Sequence, residues 1–553
     1  MPLRHCPTTL QSRLSIAGRI AAGAVALFII TTHTGAAQDL LQLGTALETV
    51  GRVYRQISTE YVDEVDPSEI ATAGIEGMLS KLDPYSIYMQ GDESEPYDRL
   101  SSGTYVGFGY TVGSFDGRLV ITDVRPDLPA AVGGLRRGDR LCSVDDVRVD
   151  TLAVDSLLAV TRGLEGTTSR YRVTRNGRDT IVLTLTRRRI PVQNVSSAAY
   201  LSGGIGYIEL VRFSRNAAVE VRDTLESLKK RGDLNGVILD LRGNPGGLLE
   251  TAVSIANLFL PQGTLISFTV DRTGRRNEYL AVNPPFDDRV PLVILVDEGS
   301  ASASEVLTGA MQDQDRAVVV GRQSFGKGLV QNMFTVNDST TVKLTTARYY
   351  TPSGRCVQRR FRQDPKQDST TVFYSRRGRH LVGSSGIVPD SLVSDSLVPP
   401  MLATIYRSGL FFLFASEYAA QHPAASVESL STSKLIEQFV SFVLAQPDHR
   451  ISRTVSTLRQ ALDSAKVHAE PPATIQAIEA ARKAVIKDLV AAIRKDSKLV
   501  GMLITANFEA CTNPRYSRNI GLLPLDKSIT TAKNIIVNDD YTGFLIGDSP
   551  GDQ

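Results

Sequence analysis

Cysteine and histidine are scarce in this chain. Its 553 residues include 4 cysteines and 6 histidines. The cysteines are widely separated, at Cys6, Cys142, Cys356 and Cys511. This spacing fits neither a disulfide scaffold nor a zinc site, so we expect unpaired cysteines. We also expect no bound metal and no cofactor.

An excess of charge of one sign is also lacking. Lys and Arg total 61, Asp and Glu total 59, and the formal net charge is +2. Because no basic block or acidic tail occurs, we expect no nucleic-acid partner. The 42% hydrophobic content is that of an ordinary globular protein, and a chain of this length is expected to fold as about three or four domains.

Long apolar runs are absent except near the N-terminus. There, three arginines precede the uncharged stretch Ile20–Ile30, and the small residues Gly35 and Ala37 follow. This order predicts a signal peptide over 1–37 and export to the periplasm or cell envelope. A retained membrane anchor is the alternative, since the apolar run approaches the roughly 20 residues that a span needs.

Hydrophobic periodicity divides the remaining chain into four parts. Residues 38–100 are predicted to form a helical segment, and 101–190 a small, partly open β-barrel of short strands with one helix at Val154–Thr161. Alternating strands and helices over 191–395 predict an α/β core with βαβ crossovers. Long amphipathic patterns predict helices over 396–553.

Eight elements make up the predicted alternation of the α/β core. The strands are Ile205–Leu210, Gly236–Leu241, Leu265–Val270, Pro291–Val296 and Ala317–Val320, and the helices are Ala217–Lys230, Leu248–Leu258 and Ser302–Asp313.

A serine-rich segment, Asp297–Glu305, follows one buried strand and opens a helix. Unpaired N–H groups and the positive end of the dipole meet at a helix start, where they can stabilise a developing oxyanion. The alternative is a capping role, with Glu305 at the third helical position if Ser302 is the cap.

Lys327 is the candidate base for such a serine. No histidine falls within the α/β alternation and no G-x-S-x-G elbow is present, so a Ser-His-Asp triad is not favoured. A lysine is a base only when neutral, and its usual pKa of about 10.4 must be lowered by burial. Gln331 could hold the neutral amine without adding charge. A solvated turn lysine is the alternative.

The loop Asp240–Gly247 follows another buried strand and is rich in glycine. Its N–H groups could supply the second half of an oxyanion hole. A plain strand-to-helix turn is the alternative. A phosphate cradle is disfavoured, because no Walker lysine follows and no G-x-G-x-x-G occurs.

Taken together, these segments resemble the carboxyl-terminal processing peptidases, or tail-specific proteases. The resemblance spans about residues 45–392. It is carried by the strings Leu82–Ser86, Gly103–Gly109, Leu135–Asp139, Asp240–Gly247, Gly299–Glu305, Gly326–Gln331, Thr351–Gly354 and Gly386–Asp390.

The resemblance implies that Ser302 is the nucleophile, Lys327 the general base and Gln331 the residue that positions the lysine. It implies an oxyanion hole formed by the N–H of Ala303 and that of Gly246 or Gly247. It also implies a PDZ domain over about 101–190 that captures substrate tails, with the terminal carboxylate on the loop formed by Tyr105, Val106, Gly107, Phe108 and Gly109.

The implied architecture is an α/β protease core of the crotonase/Clp-like βαβ type with an inserted PDZ domain, an N-terminal helical segment and a C-terminal helical domain. The implied function is an exported serine endopeptidase that cuts polypeptides near unstructured C-terminal tails. A catalytically silent PDZ-containing binding protein and a histidine-dependent esterase are the alternatives. A homo-oligomer and an adaptor protein remain open as partners.

Two positions depart from the family pattern. Tyr110 replaces a smaller aliphatic residue beside the carboxylate loop, and Cys356 stands where relatives often carry a small hydroxyl residue. Neither is expected to touch the dyad.

Overall fold

The structure is a computed structural model that describes residues 41–546 apart from 151, 176, 178, 360–371, 384, 394–397, 431, 514–515 and 539. The predicted signal peptide lies outside the described residues. The chain divides into two compact units. One contains the described residues up to Gln90 together with Met333–Leu344, and the other contains the rest.

The strands are β1 (Ile87–Gln90), β2 (Thr104–Gly107), β3 (Tyr110–Phe115), β4 (Arg118–Val124), β5 (Arg140–Val144), β6 (Val147–Arg148), β7 (Thr168–Arg175), β8 (Asp179–Thr186), β9 (Arg188–Pro191), β10 (Val195–Leu201), β11 (Ile205–Leu210), β12 (Gly236–Asp240), β13 (Leu265–Asp271), β14 (Arg276–Leu280), β15 (Leu292–Val296), β16 (Val318–Gly321), β17 (Leu329–Asn337), β18 (Thr340–Tyr350), β19 (Phe373–Tyr374), β20 (His380–Leu381) and β21 (Ser391–Leu392).

The helices are α1 (41–60), α2 (Pro67–Leu79), α3 (Glu95–Ser102), α4 (Pro129–Val132), α5 (Val154–Thr161), α6 (Ala217–Lys229), α7 (Leu249–Asn257), α8 (Ala303–Asp313), α9 (Ala403–Arg407), α10 (Leu410–Gln421), α11 (Thr432–Leu444), α12 (Asp448–Ile451), α13 (Arg453–Val467), α14 (Pro472–Lys495), α15 (Ser497–Thr512), α16 (Arg518–Leu522), α17 (Lys527–Val537) and α18 (Tyr541–Phe544).

The smaller unit contains α1, α2 and β1. Asp66 starts α2, because its carboxylate accepts the N–H of Ser68 at 2.7 Å and Pro67 follows at the first helical position. The prediction of a helical segment over 38–100 is wrong at Ile87–Gln90, which is a strand paired antiparallel with Thr340–Lys343. That partner lies far away along the chain, so local periodicity carries no sign of it.

The expected PDZ region contains β2 to β9, α4 and α5. Its main sheet has the order β3-β4-β5-β7-β8, and β2 pairs separately with β9. The predicted helix Val154–Thr161 is confirmed as α5. Between β2 and β3 the chain leaves one sheet at Gly107 and enters another at Tyr110.

The α/β core is built on a six-stranded sheet with the order β10-β11-β12-β15-β16-β21. Strands β11, β12, β15 and β16 run parallel, as the predicted βαβ crossovers require. Every residue of β12 and β15 is buried, which is typical of strands covered on both faces. Helices α6, α7 and α8 share a buried cluster with this sheet.

Strand β13 does not belong to this parallel sheet, although its sequence fits the alternation. It pairs antiparallel with β14 and with the Ala347–Tyr350 end of β18. A short apolar run predicts a strand but not its partner, and β18 reaches β13 from about 80 residues further along the chain.

The helices after residue 396 divide between two apolar clusters. Helices α9 to α11, α14 and α15 contribute to a cluster of their own. Helix α17 instead packs against the face of the core sheet opposite α6 to α8, through Ile529, Ala532, Ile535 and Ile536. The described residues after 396 form helices and no strand, but α17 packs on the core sheet instead of joining the other C-terminal helices.

The PDZ region is held against the C-terminal helices. The rings of Phe115 and Phe412 stack with their centroids 5.9 Å apart, and Arg137 donates to the carbonyls of Ala510 and Asn513. No disulfide joins Cys142, Cys356 or Cys511. Among the residues described, no helix has both the length and the apolar character required to cross a membrane.

We predict that Ile535→Ala lowers the free energy of unfolding by about 2–5 kcal/mol, because it leaves a cavity under the core sheet. Ile535 is 4% exposed. Val537→Ala is the matched control on the same helix, since Val537 is 60% exposed and its loss should cost under about 0.5 kcal/mol. Urea unfolding followed by circular dichroism measures both. Equal effects of the two substitutions would contradict the packing of α17 described above.

Candidate active site

Ser302 lies at the turn between the buried strand β15 and helix α8. Its backbone has φ +56° and ψ −115°, a conformation that side-chain-bearing residues rarely adopt and that the surrounding structure must impose. The Ser302 N–H donates to Glu305 Oε2 at 2.8 Å, so the capping contact predicted for Glu305 is confirmed. The Ser302 side chain is half-buried. Capping and a reactive hydroxyl are therefore compatible in this turn.

Ala303 is the first residue of α8. Within the described part of the chain, its N–H has no hydrogen-bond partner, as expected for the first turn of a helix. This N–H lies at the positive end of the α8 dipole, next to the serine. It can therefore donate to an anion that forms there.

The Asp240–Gly247 loop is packed directly against the serine turn. The Asn244 carbonyl accepts the N–H of Ala301 at 3.0 Å and the hydroxyl of Ser304 at 2.9 Å. Gly246 approaches so closely that a Cβ on it would lie 2.6 Å from the Ala301 carbonyl oxygen and 2.8 Å from the Ala303 nitrogen. Only glycine fits this contact.

The two glycines predicted for the oxyanion hole differ in their hydrogen bonds. The Gly246 N–H donates to Asn244 Oδ1 at 2.9 Å, so that donor is already used within the loop. The Gly247 N–H has no partner among the described residues. Gly247 is thus the loop glycine with a donor to offer, and Gly246 is the one that permits the close approach.

Lys327 lies in the loop between β16 and β17 and is half-buried. Its N–H donates to Glu305 Oε2 at 2.9 Å, the same oxygen that accepts the N–H of Ser302. The structure therefore brings the main chains of Ser302 and Lys327 together, although they are 25 positions apart in the sequence.

Glu305 is the centre of this arrangement and is 1% exposed. Besides Ser302 and Lys327, it accepts the N–H of Gly326 at 2.7 Å and the hydroxyl of Ser324 at 2.6 Å. Burial raises the pKa of this carboxyl, and the four donors act against that rise. The sequence predicts only a capping role for Glu305. Its contacts with the lysine loop were missed, because that loop lies about 20 positions further along the chain.

Tyr349 was missed altogether by the sequence analysis. It is 2% exposed, and its hydroxyl donates to the Lys327 carbonyl at 2.6 Å and lies 3.2 Å from the Ser302 carbonyl. It thus provides a second link between the serine turn and the lysine loop. No local pattern signals it, because β18 meets both segments only in the folded chain.

Gln331 lies on β17, the strand that follows the lysine loop. Its side-chain amide donates to Thr345 Oγ1, on the neighbouring strand β18, at 3.3 Å. The structure therefore places Gln331 on the strand that leaves the lysine loop, with its amide nitrogen directed at β18.

The predicted tail-binding residues lie on β2 and in the turn that follows it. Strand β2 carries Tyr105, Val106 and Gly107 and pairs with β9. The N–H groups of Phe108 and Gly109 have no partner within the described residues. Two adjacent N–H groups without partners can both donate to a terminal carboxylate.

Tyr110, the departure noted beside this loop, is tied to the interior of the PDZ region. Its hydroxyl lies 3.1 Å from that of Tyr171, and burial raises the pKa of Tyr110 to about 12. The larger side chain therefore fills the domain rather than pointing freely toward a ligand.

In the described residues, no group of three or more His, Cys, Asp or Glu side chains could hold a metal.

We predict that Gly246→Ala lowers kcat/KM by about 100-fold or more, because the added Cβ pushes the loop away from Ser302 and Ala303. Cleavage of an unstructured peptide measures the effect. Gly263→Ala is the matched control: Gly263 has a similar φ of +85°, against +96° for Gly246, but a Cβ on it would meet nothing within 4 Å. If both variants lose activity equally, backbone strain and not the close contact is responsible.

Three sequence models of known families match the chain. The model of peptidase family S41 matches residues 204–366, and a PDZ-domain model matches 98–169. A model described as the N-terminal domain of the activating protease CtpB matches 29–93. These matches end by residue 366 and do not include the C-terminal helices.

Named proteases align with most of this region. The chain is 32% identical over 343 residues to the carboxy-terminal processing protease CtpA of Bacillus subtilis, covering 62% of this chain and 73% of that protein. It is 32% identical over 372 residues to the carboxyl-terminal-processing protease of Synechocystis sp., covering 65% and 80%.

Among solved structures, the photosystem II D1 C-terminal processing protease shares 26% identity with this chain. The match covers 63% of this chain and 87% of that one, with a TM-score of 0.35.

Proposed function

The chain belongs to peptidase family S41, among the carboxyl-terminal processing proteases, and from that membership we propose that it is an exported endopeptidase that cuts polypeptides near their C-terminal tails with a Ser302–Lys327 dyad. The family resemblance deduced from the motifs is confirmed, and so is the class of enzyme, a serine protease. The dyad, the tail preference and the export are parts of the proposal.

One observation carries the assignment of the dyad. A single buried carboxylate oxygen, Glu305 Oε2, accepts the N–H of Ser302 at 2.8 Å and that of Lys327 at 2.9 Å. A chain in which the serine served only as a helix cap and the lysine only as a turn residue would not need the two in contact with one buried group. This supports a shared role for them.

The proposed reaction begins with attack of Ser302 Oγ on the scissile carbonyl. The hydroxyl proton passes to the neutral Lys327 amine, and the carbonyl oxygen becomes an oxyanion. The N–H groups of Ala303 and Gly247 hold that oxyanion, with Gly246 allowing the loop to approach. Lys327 then gives the proton to the leaving amine, which breaks the peptide bond and leaves an acyl-enzyme.

Deacylation repeats these steps with water. Lys327 takes a proton from the attacking water, the second tetrahedral intermediate collapses, and the proton returns to Ser302 Oγ. We further propose that Gln331 turns from Thr345 toward the amine when substrate is bound, because an amide oxygen accepts from a neutral amine without adding a charge that would protonate it. The reaction consumes one water and needs no cofactor.

Tail capture is assigned to the PDZ domain. A substrate tail would add as a strand along β3, and its terminal carboxylate would accept the N–H groups of Phe108 and Gly109. Polypeptides with unstructured C-terminal tails are thus the proposed substrates.

We predict that Ser302→Ala and Lys327→Ala each lower cleavage of an unstructured tail peptide by about 10³-fold or more, with little change in thermal unfolding. Peptide cleavage followed by mass spectrometry of the products measures this. Ser254→Ala is the matched control, since Ser254 is an exposed helix serine that bonds only its own helix. Wild-type rates in either dyad variant would eliminate the proposed dyad, and tail binding without any cleavage by the wild type would favour a silent binding protein.

We also predict that replacing the substrate's terminal carboxylate by an amide raises KM by about 10-fold, because charge-assisted hydrogen bonds to Phe108 and Gly109 are lost. The comparison uses one peptide in acid and amide forms, so the scissile bond is unchanged. Equal KM values for the two forms would contradict carboxylate capture without affecting the assignment of the dyad.

A further inference from the structure

Arg242 opens the loop that leads to Gly246 and Gly247, and it is held from two directions. Its Nη2 lies 2.6 Å from Asp240 Oδ2 and 2.7 Å from Asp526 Oδ2. Asp240 is the last residue of the strand from which the loop departs. Asp526 belongs to the C-terminal region and is the N-cap of α17, so this contact links the loop to a distant part of the chain.

The carboxylate of Asp526 is itself fixed. Its Oδ1 accepts the N–H groups of Ser528 at 2.8 Å and Ile529 at 3.2 Å, which leaves Oδ2 for Arg242. The side chains of Asp526 and Arg242 are only 17% and 25% exposed. An ion pair this shielded, with each group held by further hydrogen bonds, has a defined geometry that an exposed pair lacks.

Helix α17 is tied to the core by packing and by hydrogen bonds of the residues just before it. Its apolar face is buried against the sheet through Ile529, Ala532 and Ile536. Just before it, Asn519 donates to the Glu209 carboxylate at 2.9 and 3.0 Å, and Ser517 Oγ lies 2.7 Å from Ser197 Oγ. Asp526 therefore lies at the start of a helix that is packed against the core sheet.

The Asp240–Gly247 loop connects Arg242 to the turn that carries Ser302. The Gly243 N–H donates to Asp297 Oδ1 at 2.8 Å, and the same oxygen accepts the N–H of Gly299 at 2.9 Å. At the next loop position, the Asn244 carbonyl accepts the N–H of Ala301. A displacement of Arg242 would thus act on the segment that holds Gly246 against Ala303.

From this geometry we propose that Asp526 is a positioning residue for the oxyanion loop, and that α17, outside the matched family regions, is part of the catalytic apparatus. Asp526 touches no reacting atom and acts through Arg242. Asp240 cannot replace it, because Asp240 lies at the base of the same loop and cannot fix the loop relative to another element. The inference rests on the proposed function for its kinetic readout.

Asp526→Asn separates this role from helix capping. Asparagine caps helices about as well as aspartate, and capping requires its oxygen to face Ser528 and Ile529. The amide NH₂ must then face Arg242, so two donors meet where an ion pair existed. Asp526→Ser is the second variant, since serine also caps, has a single hydroxyl proton that can rotate away from Arg242, and leaves Arg242 without its second carboxylate.

We predict that both variants lower kcat by about 10-fold, as the oxyanion donors lose alignment, while KM stays within about twofold. Thermal unfolding should shift no more than in Asp66→Asn, the matched control. Asp66 also caps a helix, α2, and within the described residues it pairs with no arginine. Amide hydrogen exchange at Gly243, Asn244 and Gly246, whose N–H groups are hydrogen-bonded, should be faster in both Asp526 variants and unchanged in the control.

The outcomes separate this inference from the proposed function. Wild-type kcat and wild-type exchange at Gly243, Asn244 and Gly246 in both variants would overturn it, as would a loss of kcat that merely follows loss of folded protein. Loss of activity in Asp526→Asn alone would also overturn it, because repulsion rather than a missing anchor would be the cause. If Ser302→Ala cleaved like the wild type, the proposed function would fail, and the exchange measurement would still decide whether Asp526 positions the loop.

Discussion

The carboxylate of Glu305 is the interaction on which the site depends. It gathers one serine N–H, two N–H groups of the lysine loop and one hydroxyl inside the protein. Each donor would be costly to bury alone, and a buried carboxylate without donors would be costlier still. Because every partner is satisfied by the same group, the serine turn and the lysine loop cannot separate without leaving several buried polar groups unpaired. The serine turn follows β15 and the lysine loop follows β16, so the parallel sheet brings both segments to the same edge. The Glu305 carboxylate then fixes the distance between them.

A second constraint comes from the chain beyond the matched family regions. The C-terminal helices contact the PDZ region through Phe412 and the end of α15, and they contact the core through α17. The PDZ region and the Asp240–Gly247 loop are therefore both held by contacts with the C-terminal helical region. This arrangement differs from a catalytic core with an independent appendage, because that region joins the domain that would receive a tail to the loop that would stabilise the reaction.

Much of the core could be predicted from sequence, since its strands are short apolar runs and its helices are amphipathic. Ser302, Lys327 and the Asp240–Gly247 loop were singled out because their residue types and neighbours are specific to a chemistry; the structure brings their segments together, and their catalytic roles stay predictions. Glu305 was noticed as a cap, but Tyr349 and Asp526 were not found. Their partners come from segments that only folding brings near, and a tyrosine in a strand or an aspartate at a helix start looks ordinary. Likewise, β13 was identified as a strand but assigned to the wrong sheet, because an apolar run does not name its neighbour.

The position of α17 has a consequence for how the protein is made. One face of the parallel sheet is covered by helices that lie between its strands in the sequence, so that face can close before the C-terminal region folds. The other face, with Ile205, Ile238 and Val293, is covered by a helix from near residue 530. Before that helix has docked, the partly folded polypeptide exposes a broad hydrophobic surface. Chaperones would bind there, and truncated chains that lack the helix would aggregate through the same surface.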